Sequence, residues 1–191
     1  MKSTFLTLIT YLIVFTGDTS TSSILENGNS KFNNAFIEKN YNVNPIDEIE
    51  DNDFILSTLE EKVNYQTIND QFDLSINSER SFPNRFDESK TYKEVTVSLL
   101  NNSSTIFSYY LSHSKNIFLK GIIYTDQLTL ANGVKVGMNR VEIGQIFNCK
   151  LDTTKNKFRI YDIDDLIEVI LNFDSTGKIF AIKINTSGYV S

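Results

Sequence analysis

The feature that most constrains the fold is the run from Val134 to Phe147, which predicts a strand end, a glycine turn and the start of a helix. Asn139 is a favourable N-cap, and Glu142 three residues later can bond back to the N–H of the cap, which makes a capping box. Met138 and the apolar residue four positions after the cap are placed to form a hydrophobic staple. One apolar stripe at helical spacing follows, formed by Ile143, Ile146 and Phe147.

Three strands are predicted after this helix, because apolar residues recur at alternate positions over three short segments. The first segment has Phe158, Ile160 and Ile163, the second Ile167, Val169, Leu171 and Phe173, and the third Phe180, Ile182 and Ile184. Asp174 to Gly177 joins the last two segments, and its final glycine suits a type I turn with a left-handed residue and a bulge. We therefore predict a C-terminal helix on three strands.

An antiparallel meander is predicted before the helix, starting near Tyr92. Its first three strands contain Val95 to Leu99, Ile106 to Leu111 and Ile117 to Tyr124. A short fourth strand contains Leu128 and Leu130. The connections are too short for crossovers, so neighbouring strands must be antiparallel. The predicted fold class is α+β: an antiparallel meander sheet over residues 92–191 with one short helix packed on it, preceded by a poorly ordered polar segment.

Residues 1–22 resemble a signal peptide. Lys2 gives the positive start, Phe5 to Phe15 is an apolar core, and small residues follow, with Ser20 and Ser22 at the spacing of a cleavage site. The apolar core is shorter than the roughly 20 residues that a membrane span needs. No cysteine follows it, which excludes a lipid anchor there. We predict that the chain is exported to the periplasm or the extracellular space, without a stable membrane span after cleavage.

Residues 23–91 are predicted to be a polar, partly disordered leader. Asparagine is frequent from Asn27 to Asn34, and acidic residues dominate from Asp47 to Asp53. Apolar residues at helical spacing predict one short helix over about 53–66, and Phe72, Leu74 and Ile76 alternate as in a strand. Ser81 to Ser89 resembles a linker.

Catalytic chemistry is not marked in the sequence. The only histidine, His113, lies in a predicted turn, and the only cysteine, Cys149, follows the predicted helix. Neither acidic run has the ligand order of a calcium loop, and no glycine-rich phosphate loop occurs. The formal net charge is −6, with no basic cluster, so a nucleic-acid partner is not expected. We predict no catalytic, cofactor or metal site, and a chain that is not an enzyme.

Four aromatic residues are candidates for binding a protein partner: Tyr109, Tyr110, Phe118 and Tyr124. Tyr109 and Tyr110 are adjacent in a strand and must point to opposite faces, so one of them can be exposed. Tyrosine suits a binding face because it supplies contact area at low entropic cost. The alternative, which we favour, is that these rings cover the core.

The run Gly137 to Glu142, with the short helix and strands ending in Phe173 to Ile179, resembles the helix-on-sheet unit of the BamE (SmpA/OmlA) family of bacterial envelope proteins. The β-lactamase inhibitor proteins share that general architecture. The similarity covers about residues 134–185. Three features depart from it: the lipobox cysteine is missing, Asn148 to Lys150 replaces the Gly-x-Pro after the helix, and the N-terminal half has no counterpart.

Two functions follow as expectations. The first is an exported, non-catalytic protein-interaction or scaffold module of the bacterial cell envelope, which binds another protein. The alternative is a small-ligand-binding or enzymatic domain with a pocket between the sheet and the leader.

Overall fold

The computed structural model describes residues 44–83, 91–113 and 115–186. These residues all belong to one unit, Tyr41–Ser191. The predicted signal peptide and the first part of the predicted leader lie outside the described residues.

Eight strands are present in the described part of the chain: β1 (Glu48–Glu50), β2 (Leu74–Pro83), β3 (Thr91–Leu99), β4 (Asn102–Leu111), β5 (Asn116–Ile123), β6 (Lys157–Tyr161), β7 (Ile167–Phe173) and β8 (Ile179–Thr186). The same residues form three short α-helices: α1 (Asn52–Ser57), α2 (Tyr65–Gln71) and α3 (Arg140–Ile146). A π-helical turn, Thr58–Lys62, continues α1, and a 3-10 turn, Ala131–Gly133, precedes α3.

All eight strands form one mixed sheet in the order β1-β6-β7-β8-β5-β4-β3-β2. Only β1 and β6 pair in parallel, and every other neighbouring pair is antiparallel. The sheet contains two meanders, β3–β5 and β6–β8, which join through their last strands, β5 and β8. The predicted fold class, one helix on an antiparallel meander with three C-terminal strands, is therefore wrong.

Residues 44–83, predicted to be part of a polar leader, contain β1, α1, α2 and β2. The alternation of Leu74 and Ile76 predicted the start of β2, but the strand continues to Pro83, into the predicted linker. Most side chains of β2 are exposed, so apolar and polar residues do not alternate along its second half. β1 is only three residues long and lies at the other edge of the sheet. Edge strands of this kind lack the half-buried pattern by which strands are recognised in a sequence.

The capping box at the start of α3 is confirmed. The Asn139 side chain accepts hydrogen bonds from the N–H groups of Val141 and Glu142, and the Glu142 carboxylate accepts one from the Asn139 N–H at 2.7 Å. The Gly137 N–H donates to the carbonyl of Ile179 at 2.8 Å, which attaches the start of α3 to β8. Ile143 is fully buried, so the helix packs with its predicted apolar stripe inward.

The β7–β8 hairpin also forms where it was predicted. Gly177 has φ of +77°, and the Asp174 carboxylate accepts hydrogen bonds from the N–H groups of Thr176 and Lys178. A bulge next to Phe173 brings Ile179 into the core in place of Phe180, which is 49% exposed. The expectation that Phe180 lines the inner face is therefore wrong.

Two further expectations are corrected. Leu128 and Leu130 are buried, but they lie in an irregular segment before the 3-10 turn rather than in a fourth strand of the meander. Ile163 follows the end of β6 in a turn and is 68% exposed. In both places burial does not follow strand alternation, because no strand is formed.

The three helices cover the same face of the sheet. Phe54 of α1 contacts the ring of Phe147 at the end of α3, with 5.2 Å between centroids, and Phe147 contacts Phe158 of β6 at 5.9 Å. At the other meander, the Tyr65 ring of α2 meets the Tyr109 ring of β4 at 5.2 Å. Burying these rings and the surrounding aliphatic side chains is the main stabilising contribution to the fold.

Candidate functional site: the open face of the sheet

The sheet face opposite α1, α2 and α3 is called the open face, because none of these helices packs on it. The strand register aligns its side chains in rows that cross the sheet. One row runs from β6 to β2 through Arg159, Ile170, Lys183, Ile122, Ile106, Ser98 and Ser75. The row beside it runs through Tyr161, Glu168, Asn185, Lys120, Ser108, Thr96 and Ser78.

Apolar side chains occupy the middle of the open face. Ile106 and Ile122 are opposite each other on β4 and β5, and Ile170 lies on β7, beyond Lys183. All three isoleucines are half-buried rather than buried, so each keeps part of its side chain in contact with solvent. The centre of the open face therefore has apolar surface that is only partly covered, and contiguous apolar surface of this kind is a feature of protein-binding sites.

Two lysines lie among these isoleucines. Lys120 is opposite Asn185, and Lys183 is opposite Ile122, so the lysines are diagonal neighbours on the paired strands β5 and β8. Both side chains are exposed, and neither forms an ion pair with any residue that the structure describes.

At the β6 end of the open face, three carboxylates lie close to the Arg159 guanidinium. The Arg159 side chain hydrogen-bonds Glu168 at 2.8 Å, pairs with Asp165, and lies 3.6 Å from the carboxylate of Glu48. The guanidinium also lies over the Tyr161 ring, 4.7 Å from its centroid. The Glu168 hydrogen bond is the main reason that the pKa of Arg159 is raised. This end of the face therefore has three carboxylates around one guanidinium, and its formal charge is negative.

Burial would raise the pKa of Glu168, yet hydrogen bonds from Asn185 and Arg159, with the charges of Arg159 and Lys183, outweigh it. The net effect is that the pKa of Glu168 is lowered, so the carboxylate stays ionised.

An aromatic cluster lies at the opposite end of the face, on β2, β3 and β4. The Tyr110 ring is 6.3 Å from the Phe82 ring and 6.5 Å from the Tyr92 ring, measured between centroids. Phe82 and Tyr92 are directly opposite each other and a little over one third exposed. Ile117 is opposite Tyr110 on β5 and extends the apolar surface toward the centre of the sheet.

The structure separates the four aromatic residues that the sequence singled out. Tyr109 is fully buried, and its hydroxyl donates to the carbonyl of Val63 at 2.9 Å. Burial and the neighbouring Tyr65 raise the pKa of Tyr109. Phe118 is buried against Tyr109, whereas Tyr124 is 40% exposed just after β5. Of the four, only Tyr110 belongs to the aromatic cluster of the open face.

Sequence reasoning missed the isoleucine row and the lysine pair. Ile106 and Tyr110 of β4 are half-buried and lie beside the buried Phe107 and Tyr109, which indicates a second face. Their alignment with Lys120 and Lys183 depends on the pairing of β5 with β8, and these two strands are far apart in the sequence. Alternation gives the face of a residue but not its neighbours across the sheet.

A shallow groove of about 310 Å³ is present at one end of the sheet. It is lined by Gln71, Phe72, Asp73, Leu100, Asn101 and Gln127. Asn101 donates to the side-chain oxygen of Gln127 at 3.1 Å, so part of its polar lining is already hydrogen-bonded. The groove thus contains amides and one carboxylate, next to an apolar wall.

Other reactive residues are isolated. His113 is exposed, and the half-buried Cys149 has a thiol whose pKa is raised by burial, which makes it less reactive. Among the described residues no group of histidine, cysteine and acidic side chains is close enough to hold a metal ion. The same part of the chain contains no helix whose length and apolarity would let it span a membrane.

Comparisons with protein-family models, curated proteins and solved structures find no match for this chain. The resemblance to the BamE family therefore stays a prediction from the sequence.

Proposed function

We propose that this chain is an exported, non-catalytic protein-interaction module of the bacterial cell envelope, and that it binds its partner through the open face. The observation that carries the proposal is the row of half-buried isoleucines, Ile106, Ile122 and Ile170, on the uncovered side of the sheet. Burying this row against a partner would remove apolar surface from water, which favours association.

The non-catalytic part of the proposal is supported by where the perturbed side chains lie. Among the acidic residues with a lowered pKa, Asp152 and Asp174 accept hydrogen bonds inside tight turns, and Glu168 is bound to Arg159 and Asn185. Each of these carboxylates has a structural role. Perturbed groups that serve catalysis are instead found together in a cleft.

Export to the envelope is supported by the apolar segment in residues 1–22 and by the resemblance of residues 134–185 to BamE-type proteins. Neither feature names a partner. The open face supplies the place where a partner would bind.

Site-specific photo-crosslinking tests the proposal. In one variant a benzophenone amino acid replaces Ile122 at the centre of the open face. In the matched control it replaces Leu56, which lies on α1 and is 52% exposed. Both variants are expressed in the native host with the complete chain, and an unchanged thermal melt confirms that each one folds. We expect a discrete crosslinked protein from position 122 and none from position 56. No adduct at position 122, or equal adducts at both positions, would refute the proposal.

The alternative function, small-ligand binding, is favoured by one observation, the groove lined by Gln71, Phe72 and Asn101. Amide side chains beside an aromatic ring can bind a polar ligand. In that case a bound metabolite would shift the NMR resonances of these residues, and position 122 would give no crosslink.

A further inference from the structure

Lys120 and Lys183 form a pair of cations at the centre of the open face. They lie on the hydrogen-bonded strands β5 and β8, and their diagonal relation places their backbones roughly 7 to 8 Å apart. A lysine side chain is longer than half of this distance, so both ammonium groups can reach one anion between them. Each ammonium carries three donors for such an anion.

No carboxylate of the described residues already fills this position. Glu168 influences Lys183, but one of its oxygens accepts from Asn185 at 2.7 Å and the other from Arg159 at 2.8 Å. Glu48 and Asp165 pair with Arg159 as well. These acidic residues therefore have their own hydrogen-bond or ion-pair partners. Neither lysine forms an ion pair with a residue that the structure describes, although the charge of Lys183 acts on Glu168 from a greater distance.

We propose that the partner presents an acidic protein segment, with one carboxylate bound between Lys120 and Lys183 and aliphatic side chains packed on Ile106 and Ile122. This rests on the function proposed above, and it names the chemistry of the partner. The lysines would complement the charge of one carboxylate, and the isoleucines beside them would contact its apolar neighbours in the partner segment.

A protein segment fits this surface better than a polyanion does. Lys120 and Lys183 supply two cationic contacts at the centre of the open face. Binding of nucleic acid requires several phosphate contacts. Two lysines flanked by isoleucines instead suit one carboxylate within an apolar segment.

Charge reversal in the crosslinking assay tests this proposal separately from the proposed function. The crosslinker stays at position 122, and Lys120→Glu is combined with Lys183→Glu. The matched control combines Lys135→Glu with Lys150→Glu, two exposed lysines close to α3 in the sequence, so that the net charge changes equally. We expect the adduct yield to fall at least fivefold in the first variant and by less than twofold in the control. Mass spectrometry should find an excess of Asp and Glu in the crosslinked partner peptide.

Three results would overturn the proposal. An adduct whose yield is equal in both charge-reversed variants would refute the acidic segment while leaving the proposed function intact. A crosslinked peptide with an excess of Lys and Arg would do the same. Absence of any adduct in the parent protein would refute the proposed function itself.

Discussion

The two meanders of this sheet, β3–β5 and β6–β8, are built in the same way but completed differently. Each has three antiparallel strands, and each contributes its last strand to the junction between them. The first meander is extended by β2, a ten-residue antiparallel edge strand, and the second by β1, a three-residue parallel one. Both added strands come from residues that precede the meanders in the chain.

The helices that cover the meanders differ too. Over β3–β5, α2 supplies Tyr65 against the buried Tyr109. Over β6–β8, the covering rings come from α1 and from the end of α3, which meet through Phe54 and Phe147. The first meander is covered by a helix that precedes it closely in the chain, whereas the second is covered in part by α1, which is far from it in the sequence. Residues 44–83 therefore belong to the core, and we expect the two meanders to unfold together.

The largest expected effect is that of Phe54→Ala, which removes the contact between α1 and the second meander. Phe54 is 1% exposed, so we expect its loss to lower the free energy of unfolding by about 3 to 5 kcal/mol. Urea denaturation measures this, and fluorescence and circular dichroism should report one shared transition.

Leu56→Ala in the same helix is the control, because Leu56 is 52% exposed. It should change the unfolding free energy by no more than about 0.5 kcal/mol. Two separate transitions in the parent protein would show that the meanders are independent units, contrary to the comparison above.

A smaller effect is expected from Tyr109→Phe, which keeps the ring under α2 but removes the hydroxyl bonded to the Val63 carbonyl at 2.9 Å. Leaving that buried carbonyl without its partner should cost about 1 to 3 kcal/mol. Thermal or urea unfolding measures the loss. Tyr110→Phe is the matched control, since its hydroxyl makes no hydrogen bond with the described residues. Equal effects of the two changes would show that the Val63 contact does not stabilise the first meander.

The smallest effect concerns Glu168 in the second meander. The pKa of Glu168 is lower in the folded protein than its usual value of 4.5. The ionised carboxylate therefore stabilises the fold fully at pH values above 4.5. This stabilisation is lost as the pH falls from there through the lowered pKa. Glu168→Gln should therefore cost less than about 1 kcal/mol at pH 7 and make unfolding less pH-dependent below pH 4.5.

Urea midpoints at pH 7 and pH 3 measure this difference. Glu48→Gln, which removes a more exposed carboxylate 3.6 Å from Arg159 and leaves the Glu168 hydrogen bonds in place, serves as the control. If the two variants lose acid sensitivity equally, the hydrogen bonds of Glu168 are not its cause.

The sequence predicted the parts of the fold that depend on a few neighbouring residues. Asn139 with Glu142 marked the start of α3, and Gly177 marked the turn between β7 and β8, because caps and turns are decided locally. It failed where distant segments decide the outcome. Leu74 and Ile76 indicated the start of β2, but the rest of this exposed edge strand lacks an apolar pattern. The bulge at Phe173 could not be placed without the pairing of β7 and β8.

The candidate site divides in the same way. Alternation along β4 predicted that Tyr109 and Tyr110 point to opposite faces, so that one of them can be exposed, but it did not indicate which one. It could not show that Phe82 and Tyr92 lie beside Tyr110, nor that Lys120 and Lys183 are neighbours. These side chains are neighbours because of the order of the strands in the sheet, and no local sequence pattern encodes that order.

The parallel pairing of β1 with β6 has a consequence for how the chain acquires its structure. The side-chain oxygen of Asn52, just after β1, accepts a hydrogen bond from the N–H of Ile163, and the two residues are 111 positions apart. A ribosome will have made β1 long before β6 leaves its exit tunnel. During that interval β1 and α1 have no finished surface to pack on, so this margin of the sheet must be among the last to form and should slow maturation.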